Sequence, residues 1–251
     1  MTQRFAGKVA CVTGAGSGIG AATALRLARE GARIHGIDVE AEALSTVAKQ
    51  IEDAGSELRP FIADVSDRAQ CFAAVADAVD HFGRLDVLCN IAGIFRSAHS
   101  HEMPGEDWDR VIAVNLSGAF YMSQAAIPHL IAAGGNIVNM ASNAGQMGQA
   151  YTAAYAASKA GLLNLTRSLA MEYMKTPLRV NALAPSGTIT KLALNVKFPD
   201  GLDPDLTARY SGMRGVSQPE EIADAVAYLA SDDARSVHGA VWSIDNGVTA
   251  G

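Results

Sequence analysis

Residues 9–20 read Val-Ala-Cys-Val-Thr-Gly-Ala-Gly-Ser-Gly-Ile-Gly, a short apolar run that leads into four closely spaced glycines. The apolar run predicts a buried β-strand, and a helix rich in Ala, Leu and Arg follows from about residue 19 to residue 30. Glycines allow the backbone between strand and helix to turn tightly and to approach a ligand closely. Because the N-terminus of a helix offers unpaired N–H groups and a partial positive charge, this turn can hold phosphate groups without a lysine.

The same pairing of a strand with a helix recurs along the rest of the chain. Apolar runs of strand length lie at about residues 9–13, 33–38, 58–63, 86–92, 136–140, 179–183 and 240–244. Helical segments lie at about residues 19–30, 40–54, 68–82, 105–133 (two helices), 152–174 and 219–230. This alternation predicts an α/β fold, a Rossmann-type doubly wound parallel sheet of about seven strands with helices on both faces. Because no linker or internal repeat divides the chain, we expect one domain over residues 1–251.

Composition limits the classes of partner. The chain has 251 residues, of which 49% are hydrophobic, and a net charge of −6 without a Lys/Arg-rich run. No apolar run reaches membrane-spanning length, and residues 1–8 lack the apolar core of a signal peptide. We therefore expect a cytoplasmic protein that binds a small molecule, and neither nucleic acid nor a membrane. The odd, scattered set of Cys11, Cys71 and Cys89 favours buried reduced thiols over disulfides.

Asp38 adds a second feature to the glycine turn. It ends the second predicted strand, eighteen residues after Gly20. There a carboxylate can accept hydrogen bonds from the adenosine ribose hydroxyls of a dinucleotide and repel a 2′-phosphate, which indicates NAD in preference to NADP. Neither Ser17 nor Val39 supplies the positive charge that a 2′-phosphate favours. The alternative is that Asp38 caps the second helix.

The loops after the third and fourth predicted strands fit the same ligand. Asp64 and Val65 follow the third strand, where Asp64 can contact the adenine amino group or cap the next helix. The fourth strand leads into Asn90-Ile-Ala92-Gly93, whose small residues allow the chain to run close beneath a nucleotide. Asn90 can tie neighbouring loops together.

A Tyr–Lys pair and a serine carry the candidate chemistry. Tyr155 and Lys159 are four residues apart near the start of a long helix and share one face of it. An ammonium group and an oxidised nicotinamide would both lower the pKa of the phenol, so that Tyr155 can exchange a proton with a substrate oxygen. Ser142 follows the fifth strand and can polarise the same oxygen. Asn115, at the junction of two helices, can hold a water behind Lys159. Judged by its spacing alone, a Tyr and a Lys one turn apart are more often an ordinary, partly exposed pair of side chains on a helix than a catalytic pair.

Together these motifs resemble those of the short-chain dehydrogenase/reductase family in its short single-domain form, and the resemblance covers nearly the whole chain. The matching marks are Thr13-Gly-x-x-x-Gly-x-Gly20, Asp64, Asn90-x-Ala-Gly93, Asn115, Ser142, Tyr155-x-x-x-Lys159 and Arg179-Val-Asn-Ala-x-Ala-Pro185. The resemblance implies hydride transfer between NAD(H) and a secondary alcohol or ketone, without a metal, by a Ser–Tyr–Lys triad that Asn115 assists. It also implies a homotetramer, and contacts from the Ile189 backbone and the Thr190 hydroxyl to the nicotinamide carboxamide.

The expected catalytic residues are Asn115, Ser142, Tyr155 and Lys159. The residues expected to bind NAD are Gly14, Ser17, Gly18, Ile19, Gly20, Asp38, Asp64, Val65, Asn90, Ala92, Gly93, Tyr155, Lys159, Pro185, Thr188, Ile189 and Thr190. A lid over the site is expected at about residues 188–213. The His99–His101 pair has no third ligand nearby, so we expect a solvated loop there and no metal site.

The substrate is less well defined. Apolar candidates for its pocket are Phe95, Met147, Tyr151, Leu192, Leu194 and Met213, and amide candidates are Asn143, Gln146 and Gln149. This set favours a compact or cyclic secondary alcohol, hydroxysteroids and dihydrodiols included. One alternative is a 3-oxoacyl-carrier-protein reductase. Such enzymes more often use NADPH, which Asp38 disfavours. They also carry basic residues near the pocket mouth, whereas this chain has Met171 in the long helix where a basic residue would be expected. A second alternative is a non-catalytic NAD-binding protein, which the intact Ser142, Tyr155 and Lys159 disfavour.

Overall fold

Seven parallel strands form one sheet in a computed structural model that describes residues 3–210, 212 and 214–250. The strands are β1 (Val9–Thr13), β2 (Arg33–Asp38), β3 (Leu58–Ile62), β4 (Val87–Asn90), β5 (Asn136–Met140), β6 (Arg179–Pro185) and β7 (Val241–Ile244). Their order across the sheet is β3-β2-β1-β4-β5-β6-β7. The prediction of a doubly wound Rossmann-type sheet of about seven strands is confirmed.

Nine α-helices connect these strands within the described residues. They are α1 (Gly18–Arg29), α2 (Ala41–Asp53), α3 (Arg68–Phe82), α4 (Gly105–Ile112), α5 (Ala119–Ala133), α6 (Ala153–Glu172), α7 (Lys191–Leu194), α8 (Pro204–Thr207) and α9 (Pro219–Ala230). A π-helical segment, Ala113–Gly118, joins α4 to α5. The predicted helix bounds differ from these by at most two residues, and those of α3 and α9 are the same. The sequence did not predict the short α7 and α8. Within the described residues, none of the helices combines the length and hydropathy that crossing a bilayer requires.

Two apolar layers cover the two faces of the sheet. Alternate residues of β1 serve different layers, because neighbouring side chains of a strand point to opposite faces. Ala10 and Val12 pack with α1, α2 and α9, whereas Val9 and Cys11 pack with α3 and α5. The three cysteines are buried and free, as predicted.

The strand order creates a crevice between β1 and β4. β1 pairs with β2 on one side and with β4 on the other, so the chain winds in opposite directions from this point. The loops at the carboxyl ends of β1 and β4 therefore diverge, and ligands bind at such switch points in open α/β sheets. The Thr13 hydroxyl accepts hydrogen bonds from the N–H groups of Ile91 (2.9 Å) and Ala92 (3.1 Å), which ties the two loops together.

Candidate active site

A cavity of about 460 Å³ opens at this carboxyl edge of the sheet. Most of the residues predicted to contact NAD or substrate line it. These are Gly14, Ser17, Gly18, Ile19, Gly20, Asp38, Asp64, Val65, Ala92, Gly93, Ser142, Tyr155, Lys159, Pro185, Thr188 and Thr190. Asn90, Asn115 and Ile189 are not among the lining residues. The cavity thus brings together two groups of residues, the glycine turn and the Tyr–Lys pair, that are about 140 residues apart in the chain.

The glycine turn forms a backbone cradle because there is no room for side chains in it. Gly14 has a φ of +69°, and a Cβ atom on it would lie 3.0 Å from the Cα of Ala92. A Cβ atom on Gly20 would collide with the carbonyl oxygen of Gly14. α1 begins at Gly18, and the side chain of its N-cap, Ser17, makes no capping hydrogen bond. The first N–H groups of the helix are therefore left for an anionic ligand.

Asp38 faces the glycine turn from the end of β2. Its carboxylate accepts hydrogen bonds from the N–H groups of Gly16 (2.8 Å) and Glu40 (3.0 Å). The alternative role as helix cap is wrong, because Glu40 occupies the N-cap position of α2. The Asp38 carboxylate lines the cavity and can accept further hydrogen bonds from ribose hydroxyls.

Asp64 has a partner that sequence reasoning missed. Its carboxylate accepts from the N–H group (2.9 Å) and hydroxyl (2.8 Å) of Ser66 and pairs with Arg110 at 2.8 Å. Burial acts to raise the pKa of Asp64, but the hydrogen bonds from Arg110 and Ser66 outweigh it and lower that pKa. The N-cap of α3 is Asp67, so Asp64 does not cap that helix. Arg110 lies on α4 and lines the cavity, which no local motif in the sequence indicates.

Asn90 lies behind the cavity wall. Its Nδ2 donates to Oδ1 of Asn139 at 2.9 Å and to the hydroxyl of Ser123 at 3.1 Å. The side chain is buried, and it links β4 to β5 and α5. Asn90 therefore joins a strand to another strand and a helix, not two loops as expected, and it is not among the cavity-lining residues that a cofactor would touch.

Ser142, Tyr155 and Lys159 converge at the inner end of the cavity. The Ser142 hydroxyl donates to Oδ1 of Asn143 at 3.2 Å and to the Pro185 carbonyl oxygen at 3.4 Å, and Ser142 lines the cavity together with Tyr155. The Lys159 ammonium lies 5.6 Å from the centroid of the Tyr155 ring and donates to the Met140 carbonyl oxygen at 2.7 Å. The ring of Phe95 packs against Tyr155 with a centroid distance of 4.9 Å. This geometry suits proton exchange between the phenol and a substrate oxygen.

Burial dominates the ionisation of both groups in the Tyr–Lys pair. Burial raises the pKa of Tyr155, although the neighbouring Ser142 hydroxyl acts in the opposite direction. The expectation that Lys159 lowers the phenol pKa is not met in the protein alone. The likewise buried Lys159 has its pKa lowered to about 8, because the protein interior disfavours its charged form.

Asn115 is part of the π-helical segment that joins α4 to α5. Its Nδ2 donates to the Ile94 carbonyl oxygen (2.9 Å) and to the Ser158 hydroxyl (3.1 Å), and its Oδ1 accepts from the Ile94 N–H group (2.8 Å). Asn115 therefore fixes the loop after β4 against α6. Its expected role in holding a water behind Lys159 stays a prediction.

Several residues of the segment predicted to be a lid line the cavity, among them Thr188, Thr190, Leu192, Phe198 and Tyr210. Its role as a lid stays a prediction. The side chain of Ile189 is 40% exposed, and its N–H group donates to the Ser217 carbonyl oxygen at 2.9 Å. Its backbone N–H is therefore already engaged and its side chain is turned to solvent.

Only part of the predicted substrate pocket lines the cavity. Phe95, Leu192, Asn143 and Gln149 do, whereas Met147, Tyr151, Leu194 and Gln146 do not. Leu194 is 74% exposed, and the Gln146 side chain accepts from the Ser243 hydroxyl. Tyr151 has a φ of +61°, and its hydroxyl oxygen accepts from the N–H group of Asp203 at 3.1 Å. Met213 lies outside the described residues.

The His99–His101 pair belongs to the loop after β4. Nε2 of His99 forms a hydrogen bond with the Asp200 carbonyl oxygen at 3.0 Å, and the His101 side chain is 80% exposed. Across the part of the chain that the structure describes, no three His, Cys, Asp or Glu side chains are grouped as a metal ion would require.

A Rossmann-type sheet whose carboxyl edge holds a glycine cradle and a Ser–Tyr–Lys group in one cavity defines a dinucleotide-dependent oxidoreductase as the class of protein. A family model described as enoyl-(acyl carrier protein) reductase matches residues 14–249. The chain belongs to the short-chain dehydrogenase/reductase family, and the predicted membership is confirmed.

Three similar proteins illustrate the range of activities near this chain. It is 43% identical to cis-4-hydroxycyclohexanecarboxylate dehydrogenase of Sinomonas cyclohexanicum, over 100% of both chains. It is 39% identical to a 3-oxoacyl-[acyl-carrier-protein] reductase of Thermotoga maritima, over 98% of this chain and 99% of that protein. The structure resembles that of carveol dehydrogenase from Mycobacterium avium in complex with NAD, with a TM-score of 0.92, 30% identity and coverage of 99% of each chain.

Proposed function

We propose that the protein is an NAD-dependent dehydrogenase that interconverts a secondary alcohol and its ketone, with Tyr155 as the acid/base. The observation that carries this proposal is the single cavity that holds both the glycine cradle with Asp38 and the Ser142–Tyr155–Lys159 group. The related carveol dehydrogenase was solved with NAD, which supports the same cofactor here.

The residues present fit a dinucleotide. The turn from Gly14 to Gly20 has no space for a Cβ atom at its two ends, and it directs the N-terminus of α1 into the cavity. Asp38 would bind the adenosine ribose and disfavour the 2′-phosphate of NADP. Lys159 and the segment from Pro185 to Thr190 would hold the nicotinamide end. When bound, NAD supplies the acceptor for the hydride.

Proton movement is the task of the chain's own side chains. In alcohol oxidation, the Tyr155 phenolate accepts the proton of the substrate hydroxyl. The carbon that carries this hydroxyl gives up its hydride to NAD, so that the C–O bond becomes a carbonyl. The Ser142 hydroxyl donates a hydrogen bond to the reacting oxygen and orients it. Lys159 carries a proton at neutral pH, since its pKa is about 8. Lowering of the Tyr155 pKa would require the positive charge of bound NAD in addition to this ammonium group. In the reduction direction, Tyr155 returns the proton to the oxygen.

The substrate is a compact or cyclic secondary alcohol. The apolar Phe95, Leu192 and Phe198 provide surfaces for a small carbon skeleton, and the relative from Sinomonas is named for a hydroxylated cyclohexane ring. A panel of cyclic alcohols, hydroxysteroids and dihydrodiols should be screened with NAD, with NADH followed by its absorbance. Formation of NADH with at least one member is expected, and demonstrated NAD binding without NADH formation would favour a non-catalytic binding protein.

A 3-oxoacyl-carrier-protein reductase is the second candidate, supported by the relative from Thermotoga. Asp38 disfavours the NADPH that such enzymes more often use. The described cavity-lining residues with a positive charge are Arg110 and Lys159, and both are engaged by other groups of the chain. Reduction of acetoacetyl thioesters with NADPH at a higher kcat/KM than any NAD-dependent alcohol oxidation would establish this candidate instead.

We extend the proposal to assembly, location and lid. Exposed apolar side chains on neighbouring helices, Trp108 on α4 and Phe120 on α5, support a homotetramer, which light scattering would measure. Free, buried cysteines agree with a cytoplasmic location. The segment 188–213 acts as a lid in a single catalytic domain, and NADH should slow proteolysis within residues 195–203.

A further inference from the structure

We propose that Gly16 positions the Asp38 carboxylate and thereby determines how strongly the protein favours NAD over NADP. The inference rests on the proposed function, in which Asp38 binds the ribose hydroxyls of NAD. Gly16 itself is not among the residues that line the cavity. Its effect on the cofactor is therefore exerted through Asp38, which makes Gly16 a positioning residue.

Two consecutive N–H groups attach the glycine turn to the end of β2. The Ala15 N–H group donates to the Ile37 carbonyl oxygen at 3.1 Å. The Gly16 N–H group donates to Oδ2 of Asp38 at 2.8 Å. The other carboxylate oxygen, Oδ1, accepts from the Glu40 N–H group at 3.0 Å. Both oxygens of Asp38 are thus held by backbone groups, which fixes the direction of the carboxylate.

The remaining acceptor capacity of Asp38 suits the ribose hydroxyls of NAD. A carboxylate has about four lone-pair positions, and the two backbone hydrogen bonds take one on each oxygen. One position on each oxygen is left for a ligand, and Asp38 lines the cavity. Because the carboxylate is already fixed, ribose binding does not have to order it, and such preorganisation strengthens binding. A 2′-phosphate would instead meet a negative charge that is not free to rotate away.

Any side chain at position 16 would displace this carboxylate. A Cβ atom there would lie 2.9 Å from Oδ2 and 3.0 Å from Cγ of Asp38, and 3.2 Å from Cβ of Ala43. Non-bonded carbon atoms pack at about 3.5–4.0 Å, so these contacts are too short. Ala43 is held in α2, whereas the Asp38 carboxylate is the end of a side chain and can rotate. The carboxylate would therefore turn away from the Gly16 N–H group and from the ribose.

The backbone at Gly16 does not itself require glycine. Its φ lies outside the left-handed region, in contrast to the φ of Gly14 (+69°) and of Gly18 (+51°). An alanine can take the same backbone conformation, so Gly16→Ala changes the contact with Asp38 without straining the turn. Gly105 offers a matched control, because a Cβ atom on it, at the start of α4, would meet no described atom within 4 Å.

The test measures the Kd for NAD and the Kd for NADP by calorimetry, without an alcohol substrate. The forms compared are the wild type, Gly16→Ala, Asp38→Ala, the double variant Gly16→Ala/Asp38→Ala, and the control Gly105→Ala. Thermal melting shows whether each form is folded. Asp38→Glu keeps the test decisive if Gly16→Ala is not folded, because it retains the charge but moves the carboxylate by one methylene relative to the Gly16 N–H group.

The ratio of the Kd for NADP to the Kd for NAD should be well above one in the wild type. It should fall about tenfold in Gly16→Ala, because the Kd for NAD rises as hydrogen bonds from the ribose to the carboxylate are lost. Asp38→Glu should lower the ratio by a similar factor, and Gly105→Ala should leave it unchanged. The double variant should have the same ratio as Asp38→Ala, since Gly16 acts through this carboxylate alone.

Three results with a folded Gly16→Ala would overturn the inference. They are a wild-type ratio in Gly16→Ala, an equal rise of both Kd values in it, and a ratio in the double variant that is lower than that of Asp38→Ala. If Gly16→Ala is not folded, a wild-type ratio in Asp38→Glu would show that the charge alone sets the preference, which also overturns the inference.

Failure of the inference is distinguishable from failure of the proposed function, because binding is measured without turnover. A protein that shows the expected ratios but oxidises no alcohol of the panel overturns the dehydrogenase activity and leaves the role of Gly16 standing. A wild type that binds neither NAD nor NADP overturns both.

Discussion

Replacement of Lys159 by Met should make the ligand-free protein more stable at neutral pH, although it removes a catalytic group. Burial lowers the pKa of Lys159 to about 8, against a usual value of 10.5. Since each pH unit of such a difference corresponds to 1.36 kcal/mol, folding with the ammonium buried costs about 3 kcal/mol at pH 7. Met fills a similar volume without a charge, but it leaves the Met140 carbonyl oxygen without its donor, which costs about 1 kcal/mol. A net gain of about 2 kcal/mol is expected.

The stability that Lys159→Met gains over the wild type should depend on pH. Between pH 8 and 10.5 the unfolded chain holds a proton on Lys159 that the folded protein has released, so wild-type stability rises with pH in this window. The advantage of Lys159→Met should therefore shrink from pH 7 to pH 9.5. Urea unfolding at both pH values measures it, with exposed Lys49→Met as a control that should change stability by less than about 0.5 kcal/mol. A variant that is less stable at pH 7, or whose advantage is the same at both pH values, would refute the reasoning.

Two further predictions concern the cofactor. Asp38→Ala should raise the kcat/KM for NADP relative to NAD about tenfold or more, because the carboxylate no longer binds the ribose hydroxyls or repels a 2′-phosphate; an unchanged ratio would count against the ribose contact. Arg110→Ala should raise the Kd for NAD about tenfold with kcat nearly unchanged, since Asp64 loses the guanidinium that holds it. The control is Arg68→Ala, because the Arg68 guanidinium bonds Gln124 at the surface. Equal effects of the two variants on the Kd would show that Arg110 does not position Asp64 for NAD binding.

The sequence predicted the sheet well because its signals are local. β1, β2 and β5 have the predicted bounds, since apolar residues lie close together in each and a glycine, a charged residue or a short polar turn follows or ends it. The glycine turn could also be predicted from the sequence. A tight turn between strand and helix and a close approach of the backbone to a ligand both favour residues without a Cβ atom.

The parts that were missed depend on long-range packing. Arg110 and Asp64 are 46 residues apart in the sequence, and no motif near either residue predicts that they form a pair. The positive φ of Tyr151 is a backbone property that its residue type does not suggest, so its removal from the pocket could not be predicted. The direction of the Tyr155 pKa shift depends on how deeply the phenol is buried, which spacing along a helix does not give.

The central claim is that Tyr155 transfers the proton, and Tyr155→Phe tests it most directly. The variant keeps the ring that packs against Phe95 and loses only the phenolic oxygen. With a secondary alcohol that the wild type oxidises, kcat should fall at least about a hundredfold, while the Kd for NAD, measured by calorimetry, stays within about threefold of the wild-type value. A Tyr155→Phe variant that keeps near wild-type turnover would contradict the account.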